Sequence, residues 1–323
     1  MDKDRATRGR KRWIKYRYIL HATAVRFALF LRQPSVLRFY LQYYLLVPFR
    51  RWRKGGRRTP DVTVVSYPKS GRTWLEALLY ELAKARHGVA SDEVTTLREL
   101  PDDYGELPFV DFSHAGASWE SYALTDDEIR RMPPERWAKG KVIHLWRDPR
   151  DTLVSSYYHL RYRTKIPWIR KEDLLEDPVV GIRKLVDFLN VWFRYVENHP
   201  DSAMAVRYED LREEPEKTLE EICTFMEFPC SRTEIEIAVE RTRFDKMQRK
   251  ERESQGANPW ITPGDRKNPQ SYKARKGTVG ESASFFSPEE LNALDKMIKE
   301  HLRVPASAGQ PAQEVLPSRN AKH

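Results

Sequence analysis

One segment limits the folds open to this chain more than any other: residues 62–82, which read VTVVSYPKSGRTWLEALLYEL. Its first residues are largely β-branched and apolar, which is typical of a strand covered on both faces of a sheet. After a short polar turn, apolar residues return at helical spacing and predict a helix over residues 73–86. The positions that carry this spacing are Trp74, Leu75, Leu78, Leu79 and Leu82.

The rest of the chain repeats this alternation of strand and helix. Apolar runs at 109–112, 141–146 and 202–207 precede loop or helix signals, and helical patterns occur at 152–163, 181–199, 214–226, 232–241 and 288–302. Strands that alternate with helices predict an α/β fold with a central parallel sheet flanked by helices. Ligands of such sheets bind at the carboxyl ends of the strands. Residues 260–280, rich in Pro, Gly, Lys and Arg, predict a long loop of the kind that is functional or disordered.

The turn between the first strand and its helix has the residues of an anion site. The backbone N–H groups at a helix N-terminus are unpaired and point outward. Gly71 permits close approach of the backbone, Ser70 and Thr73 add hydroxyl donors, and Lys69 adds a point charge. The lysine precedes the glycine, so the turn does not match the G-x-x-x-x-G-K-[ST] loop of nucleoside triphosphate enzymes. It predicts a site for a phosphate-like group, and an ordinary βα turn is the alternative.

A second stretch, VIHLWRDPRDTLVSSYYHL at residues 142–160, repeats this logic. A strand ends at Trp146, Arg147 follows at its carboxyl end, and Pro149 suits the first turn of a helix that includes Ser155. Arg147 and Ser155 can then reach one anionic group. Taken alone, a charged run such as RDPRD is more often a solvated surface.

Basic residues are concentrated in residues 1–60, which hold 17 Lys and Arg against 2 Asp and Glu, whereas the remainder holds 40 against 45. We divide the chain into a basic, aromatic-rich extension (1–60), a main domain (61–302) and a tail predicted to be disordered (303–323). The extension has the composition of helices that lie in a membrane interface. Packing of a helical extension on its own domain or on a partner is the alternative. Its longest uncharged run, residues 39–49, is too short to span a bilayer. The run YILH before ATA at residues 22–24 is much shorter than the apolar region of a secretory signal.

Three motifs in order give the chain a family resemblance. They are SYPKSGRTW at 66–74, WRDPRDTLVSSYYH at 146–159 and RKGTVGE at 275–281. The chain resembles the cytosolic-type sulfotransferases, which move a sulfuryl group from 3′-phosphoadenosine 5′-phosphosulfate to an acceptor. The motifs are similar to that family's 5′-phosphosulfate loop, its 3′-phosphate motif and its terminal R-K-G-x-x-G motif. The similarity spans about residues 61–302 and implies a P-loop-like three-layer fold.

The resemblance implies donor-binding roles for the matching residues. Lys69 would contact the oxygen that bridges phosphate and sulfate. The 5′-phosphate would be held by Ser70, Gly71, Arg72 and Thr73. The 3′-phosphate would be held by Arg147, Ser155, Arg275, Lys276 and Gly277. Residues matched to the family's adenine surroundings are Trp74, Tyr208, Thr242 and Phe244, the last two in a T-S-F-like segment where Arg243 replaces the serine.

The resemblance also implies a general base. In the family a histidine follows a central strand, usually as K-T-H, and His114 in PFVDFSHAG takes this place. An imidazole suits proton abstraction because its pKa is near neutral. Lys69, His114 and Ser155 are therefore the predicted catalytic residues, and the segment from Asp111 to His114 lacks the lysine that the family often has there. Without the resemblance a histidine after an apolar run is more often structural. The rivals are His144, expected in the core, and His159, expected to pack beside the site.

Two features of the family are missing. Its terminal motif usually continues as G-D-W-K, whereas this chain continues as GESASFF. The dimerisation signature K-x-x-x-T-V-x-x-x-E is also missing, so the sequence leaves the oligomeric state open.

Two other functions stay open at this stage. One is a nucleotide-dependent small-molecule kinase of related fold, against which the missing G-K-[ST] and the presence of RKGTVGE argue. The other is a non-catalytic membrane-associated scaffold, against which the intact Lys69 and His114 argue. For a sulfotransferase we expect in-line transfer to a hydroxyl or amine of a small-molecule or lipid acceptor, without metal or nucleic acid. We interpret Cys223 and Cys230 as reduced thiols, which predicts a cytoplasmic location. Peripheral contact of residues 1–60 with the inner face of a membrane would be compatible with that location.

Overall fold

The computed structural model describes residues 2–32, 59–87, 108–119, 123–254 and 262–308, and the structural statements concern these ranges. The strands are β1 (Val62–Ser66), β2 (Val110–Ser113), β3 (Lys141–Trp146) and β4 (Ala203–Arg207). They form a parallel sheet in the order β2-β1-β3-β4. In its register, Val65 of β1 lies opposite Ser113 and His144. The predicted strands and the parallel sheet are confirmed.

Helices follow or precede each strand. They are α1 (Asp2–Arg32), α2 (Arg72–Arg86), α3 (Asp126–Arg130), α4 (Pro149–Tyr158), α5 (Asp173–Glu176), α6 (Ile182–Asn198), α7 (Tyr208–Glu213), α8 (Pro215–Phe225), α9 (Arg232–Arg241), α10 (Phe244–Glu253), α11 (Ser282–Phe285) and α12 (Pro288–His301). A π-helical turn, His159–Arg163, continues α4, so the helix predicted over 152–163 begins earlier and changes its winding before it ends.

Two apolar layers cover the two faces of the sheet, as the run of β-branched residues in β1 predicts. Val65 and Val142 pack into one layer with α6, whereas Val62, Val64 and Ile143 pack into the other with α2, α8 and α9. Successive strand residues therefore point to opposite layers. The three-layer α/β fold is confirmed.

Helix α1 packs on the chain's own domain along one side. The Tyr18 side chain is buried, and its hydroxyl donates a hydrogen bond to Asp177 over 3.2 Å. Lys11 pairs with Asp126 at 2.9 Å, and Lys15 pairs with Glu128 at 2.7 Å. For residues 2–32 the structure thus shows the packed helix that was the alternative to a membrane-interface helix, although its opposite face stays exposed. Residues 33–58, with the uncharged run 39–49, lie outside the described residues.

Two segments differ from the sequence predictions. The tail predicted as disordered from residue 303 begins with described, ordered residues: Ala306–Ala308 form a 3₁₀ turn, and the Ala308 carbonyl accepts a hydrogen bond from the buried Trp146 indole over 3.1 Å. Amino-acid composition does not predict such a hydrogen bond to a backbone carbonyl. Residues 309–323 lie outside the described ranges. Helix α10 was not predicted because its sequence, FDKMQRKERE, is mostly charged and contains only two large apolar residues, Phe244 and Met247.

Candidate active site

The parallel order of the strands brings the predicted site residues to one edge of the sheet. The Lys69 turn follows β1, His114 follows β2, Arg147 follows β3 and Tyr208 follows β4. All four strands end at this edge because they run in one direction.

The turn between β1 and the N-terminus of α2 has a strained backbone. Lys69 has φ 74° and Gly71 has φ 95°, both in the left-handed region. A side chain at Gly71 would collide with the Tyr208 ring, so only glycine fits this approach. Gly71 also caps α2 without a side chain, and among the described residues the buried Ser70 hydroxyl has no hydrogen-bond partner. Donors at a helix N-terminus and an unsatisfied buried hydroxyl fit an anionic ligand.

Arg147 joins the turn to the C-terminal loop. Its guanidinium lies 4.6 Å from the centre of the Tyr208 ring and donates a hydrogen bond to the Thr278 carbonyl over 3.1 Å. Its Nε is buried with no hydrogen-bond partner among the described residues. The Asp151 carboxylate, 3.6 Å from Arg147, accepts hydrogen bonds from the backbone N–H groups of Gly280 (2.6 Å) and Ser282 (3.0 Å). One buried carboxylate of α4 therefore holds the loop over Arg147.

The C-terminal loop carries the predicted Arg275, Lys276 and Gly277 to the same place. The guanidinium of Arg275 lies 3.9 Å from the centre of the Tyr158 ring on α4 and pairs with Glu281. Lys276 also pairs with Glu281, at 2.9 Å. Gly277 has φ 63°, and a side chain there would collide with the Phe244 ring. These contacts bring Arg147, Arg275 and Gly277 to one part of the structure.

The residues matched to the adenine surroundings also meet. The indole N–H of Trp74 donates a hydrogen bond to the Thr242 carbonyl over 3.1 Å, and the Trp74 and Tyr208 rings lie edge to face at 5.9 Å. Phe244 begins α10 two residues later, against Gly277. These aromatic rings lie beside the anion-binding turn.

Cations dominate the electrostatics of the site. The pKa of Lys69 is lowered from 10.5 to about 8, first by removal from water and then by the charges of Arg163, Arg147 and Arg275, which Glu251 opposes. The pKa of Lys273 is lowered to about 7 by burial and by Arg163, Lys69 and Arg72. Crowded cations with shifted pKa values are typical of a site that binds an anion.

Three residues of this cluster escaped the sequence analysis: Arg163, Glu251 and Lys273. Arg163 donates a hydrogen bond to Glu251 over 3.1 Å, and the same carboxylate accepts the backbone N–H of Lys273 over 2.7 Å. Arg163 and Glu251 match no motif, and Glu251 lies on the unpredicted α10. The one sequence signal for this cluster was the position of Lys273, two residues before RKGTVGE.

His114 is oriented by the neighbouring strand. Its Nδ1 lies 2.8 Å from the Ser66 carbonyl oxygen, which can only accept, so Nδ1 carries the proton. Ala115 and Gly116 then turn back with φ 44° and 79°, and the buried Lys184 donates hydrogen bonds to the Ala117 carbonyl (2.8 Å) and the Val179 carbonyl (2.9 Å). The turn that follows His114 is therefore anchored from α6.

The remaining predicted residues have mixed placements. Ser155 lies on α4 one turn after Asp151 and is half-buried. His144 is fully buried, and removal from water lowers its pKa to about 3, which confirms a core position. His159 packs near Trp119, with ring centres 5.7 Å apart. Asp111 is a half-buried residue of β2.

The described ranges lack two further kinds of feature. There, no three His, Cys, Asp or Glu side chains gather as metal ligands would. No helix in those ranges combines the length and the apolar character needed to cross a membrane.

Comparisons with known proteins agree on one family. The family model described as "Sulfotransferase domain" matches residues 59–304. "Cytosolic sulfotransferase 17" of Arabidopsis thaliana is 25% identical over 269 residues, covering 76% of this chain and 75% of the relative. A "3-alpha-hydroxysteroid sulfotransferase" of Cavia porcellus is 22% identical over 289 residues, covering 86% and 92%. The crystal structure of a mouse sulfotransferase complexed with PAP has the same fold, with a TM-score of 0.55 and 22% identity over 78% of this chain and 88% of that one.

Proposed function

The chain belongs to the sulfotransferase family and is a sulfotransferase, and we propose that its donor is 3′-phosphoadenosine 5′-phosphosulfate and its acceptor a hydroxyl or amine group. The observation that carries this proposal is the crowding of Arg163, Arg147 and Arg275 around Lys69, with Glu251 opposing them. Family membership argues against the kinase and scaffold hypotheses.

Each end of the donor has a matching group of residues. Lys69, Ser70, Gly71, Arg72 and Thr73 would hold the 5′-phosphosulfate. Arg147, Ser155, Arg275, Lys276 and Gly277 would hold the 3′-phosphate, and Trp74, Tyr208, Thr242 and Phe244 would surround the adenine. The Ser70 hydroxyl and Arg147 Nε support this assignment because each is a buried donor with no hydrogen-bond partner among the described residues. PAP in the similar mouse structure is the same nucleotide without the sulfuryl group.

The reaction needs one proton acceptor and one cation. Since Nδ1 of His114 carries a proton, Nε2 holds the lone pair and would take the proton of the acceptor group. The acceptor atom would bond to sulfur while the bond from sulfur to the bridging oxygen breaks. Lys69 would donate a hydrogen bond to that oxygen as its charge grows. Ser155 would position the nucleotide from α4.

Calorimetric titration with adenosine 3′,5′-bisphosphate (PAP), 5′-AMP and ATP tests the donor. We expect PAP to bind at least tenfold more tightly than 5′-AMP, because a 3′-phosphate adds charge-assisted hydrogen bonds. The Lys276→Met variant should lose most of this preference, since Lys276 pairs with Glu281 at the surface and its removal spares the core. Equal binding of PAP and 5′-AMP would contradict the proposed donor.

The acceptor is proposed to be an apolar or amphiphilic molecule with a hydroxyl or amine group. A relative named for a hydroxysteroid supports this class. The Tyr67 and Trp119 rings, 6.4 Å apart, lie beside the turn that carries His114 and make its surroundings apolar. Since a relative is named cytosolic, we place the protein in the cytoplasm.

Helix α1 supports a further proposal, that the protein contacts an anionic membrane surface. Its exposed side chains Trp13, Tyr16, Leu20 and Phe27 recur at helical spacing on one face, opposite Tyr18. Arg12 and Arg17 flank this aromatic face, and residues 1–60 carry a large basic excess. Aromatic side chains flanked by arginine fit the boundary between headgroups and acyl chains. A lipid acceptor would then be delivered from that surface.

Sedimentation with phosphatidylserine vesicles tests the contact. The double variant Trp13→Ser/Leu20→Ser should reduce the bound fraction severalfold, because it removes two apolar groups from the exposed face. Phosphatidylcholine vesicles are the control for charge. Equal binding of wild type and variant would contradict the proposal, and loss of a dimer in the variant by light scattering would assign the face to a second copy instead.

A further inference from the structure

The loop before Arg275 carries a lysine that neither the sequence motifs nor the proposed donor site uses. The backbone N–H groups of Lys273 and Ala274 donate hydrogen bonds to the two carboxylate oxygens of Glu251, over 2.7 and 2.9 Å. Arg163 donates to the same carboxylate over 3.1 Å and to the Ser271 carbonyl over 3.4 Å. Glu251 is buried. The backbone at Lys273 is therefore fixed on α10 and on the turn after α4.

The Lys273 side chain interacts electrostatically with cations of the phosphosulfate turn. The charged groups that act on it are Arg163, Lys69, Arg72 and Glu251. Lys69 in turn is acted on by Arg163, Glu251, Arg147 and Arg275. Glu251 is the one carboxylate among these neighbours. It already accepts hydrogen bonds from Arg163 and from two backbone N–H groups. Lysines and an arginine that act on one another in this way favour a strongly anionic ligand among them, because such a ligand replaces repulsion by attraction.

We propose that Lys273 is a donor-binding residue that contacts the phosphosulfate end of the nucleotide alongside Lys69. This inference rests on the proposed function and assigns the loop two tasks. Lys273 acts at the 5′ end, whereas Arg275 and Lys276, on the other side of Ala274, act at the 3′ end through the Glu281 and Tyr158 contacts. On β2 the chain has Asp111 in the strand before His114, which brings no cation to the site. Lys273 brings one from a different element.

Crowding makes this lysine responsive to its ligand. The pKa of Lys273 is about 7 and that of Lys69 about 8 without an anion between them. A bound phosphate restores both groups to the charged form, because it replaces repulsion between cations by attraction to an anion. Donor binding is therefore coupled to proton uptake.

Ligands that differ at one end separate the role of Lys273 from a structural role. Competition calorimetry would compare PAP with 3′-AMP, which lacks the 5′-phosphate. We expect Lys273→Met to weaken PAP binding about tenfold or more and to leave 3′-AMP binding within about twofold, since charge-assisted hydrogen bonds at one end are lost. Lys273→Arg should retain PAP affinity because it keeps the charge. Lys276→Met is the control for the 3′ end and should weaken the binding of both PAP and 3′-AMP, because both carry the 3′-phosphate.

Proton uptake gives an independent measurement. The enthalpy of PAP binding at pH 8, measured in two buffers of different ionisation enthalpy, counts the protons taken up. From the two pKa values the wild type should take up about 1.4 protons, and Lys273→Met should take up about 0.5. A merely structural lysine would not change this number.

The results for Lys273 and for the donor can be distinguished. If wild type prefers PAP to 5′-AMP but Lys273→Met binds PAP and 3′-AMP as wild type does, the role of Lys273 is wrong. If Lys273→Met weakens both ligands equally, the residue supports the fold and the inference is also wrong. If wild type itself does not distinguish PAP from 5′-AMP, the proposed function fails before the inference is reached.

Discussion

The carbonyl oxygen of Ser66 accepts a hydrogen bond from Nδ1 of His114 over 2.8 Å, across the pair β1 and β2. The two strands end side by side because Val65 lies opposite Ser113. This contact fixes the ring orientation and the tautomer, so the basic nitrogen of His114 is Nε2. The strand that precedes Lys69 thus also orients the predicted base.

We expect His114→Ala and Lys69→Ala each to lower kcat by about 10²-fold or more, since the first removes a general base and the second removes charge stabilisation. The measurement is acceptor turnover at saturating donor. His159→Gln, a change at a rival histidine near Trp119, should have a much smaller effect on kcat. Wild-type turnover by both alanine variants would show that the roles are misassigned.

PAP affinity should fall as pH rises through the pKa of Lys69. That pKa is about 8 in the free protein, and a bound anion raises it. The attraction is therefore fully present below pH 8 and is lost above it, by about fivefold between pH 8 and 9 for this one group. Lys69→Arg stays charged, so its affinity should change less over the same interval. A steeper fall in Lys69→Arg than in wild type would refute this explanation.

Lys184 should make the stability of the fold depend on pH. It is fully buried, and burial lowers its pKa from 10.5 to about 7. Between these values the unfolded chain binds a proton that the folded chain does not, so stability rises with pH. Relative to Lys184→Met, the wild-type free energy of unfolding should gain about 2 kcal/mol from pH 7 to 9, measured by urea denaturation. Parallel pH profiles would contradict the buried, neutral amine.

Asp151→Asn should loosen the C-terminal loop. The buried carboxylate holds Gly280 and Ser282 and lies 3.6 Å from Arg147. Loss of its charge should lower the free energy of unfolding by about 2 to 3 kcal/mol. PAP affinity should fall about tenfold because Arg275 and Lys276 share this loop.

Asp148→Asn is the matched control for Asp151→Asn. Asp148 caps the same helix, and asparagine caps nearly as well. PAP affinity should therefore stay near wild type in the control. Wild-type affinity in Asp151→Asn would mean that the loop holds its place without this carboxylate.

Local patterns predicted much of the molecule. The β-branched run of β1 and the periodic apolar residues of α2 identified the first strand and helix. The reason is that burial of an element against its neighbours determines the spacing of apolar residues along the chain. The order of three motifs pointed to one family, and the match over residues 59–304 confirmed it. The predicted roles of Lys69, His114, Ser155 and the donor-binding residues stay predictions.

What the sequence by itself determined about this protein is therefore the alternation of strands and helices, the Lys69 turn and the family. The tertiary structure alone decided that Arg163, Glu251 and Lys273 join that turn, and that Ser66 orients His114. Glu251 lies on a helix with only two large apolar residues, so no apolar pattern indicated that this carboxylate is buried. The lowered pKa values of Lys69 and Lys273 arise from burial and from cations far away in the chain. Such effects depend on distances in space, which no local pattern of residues contains.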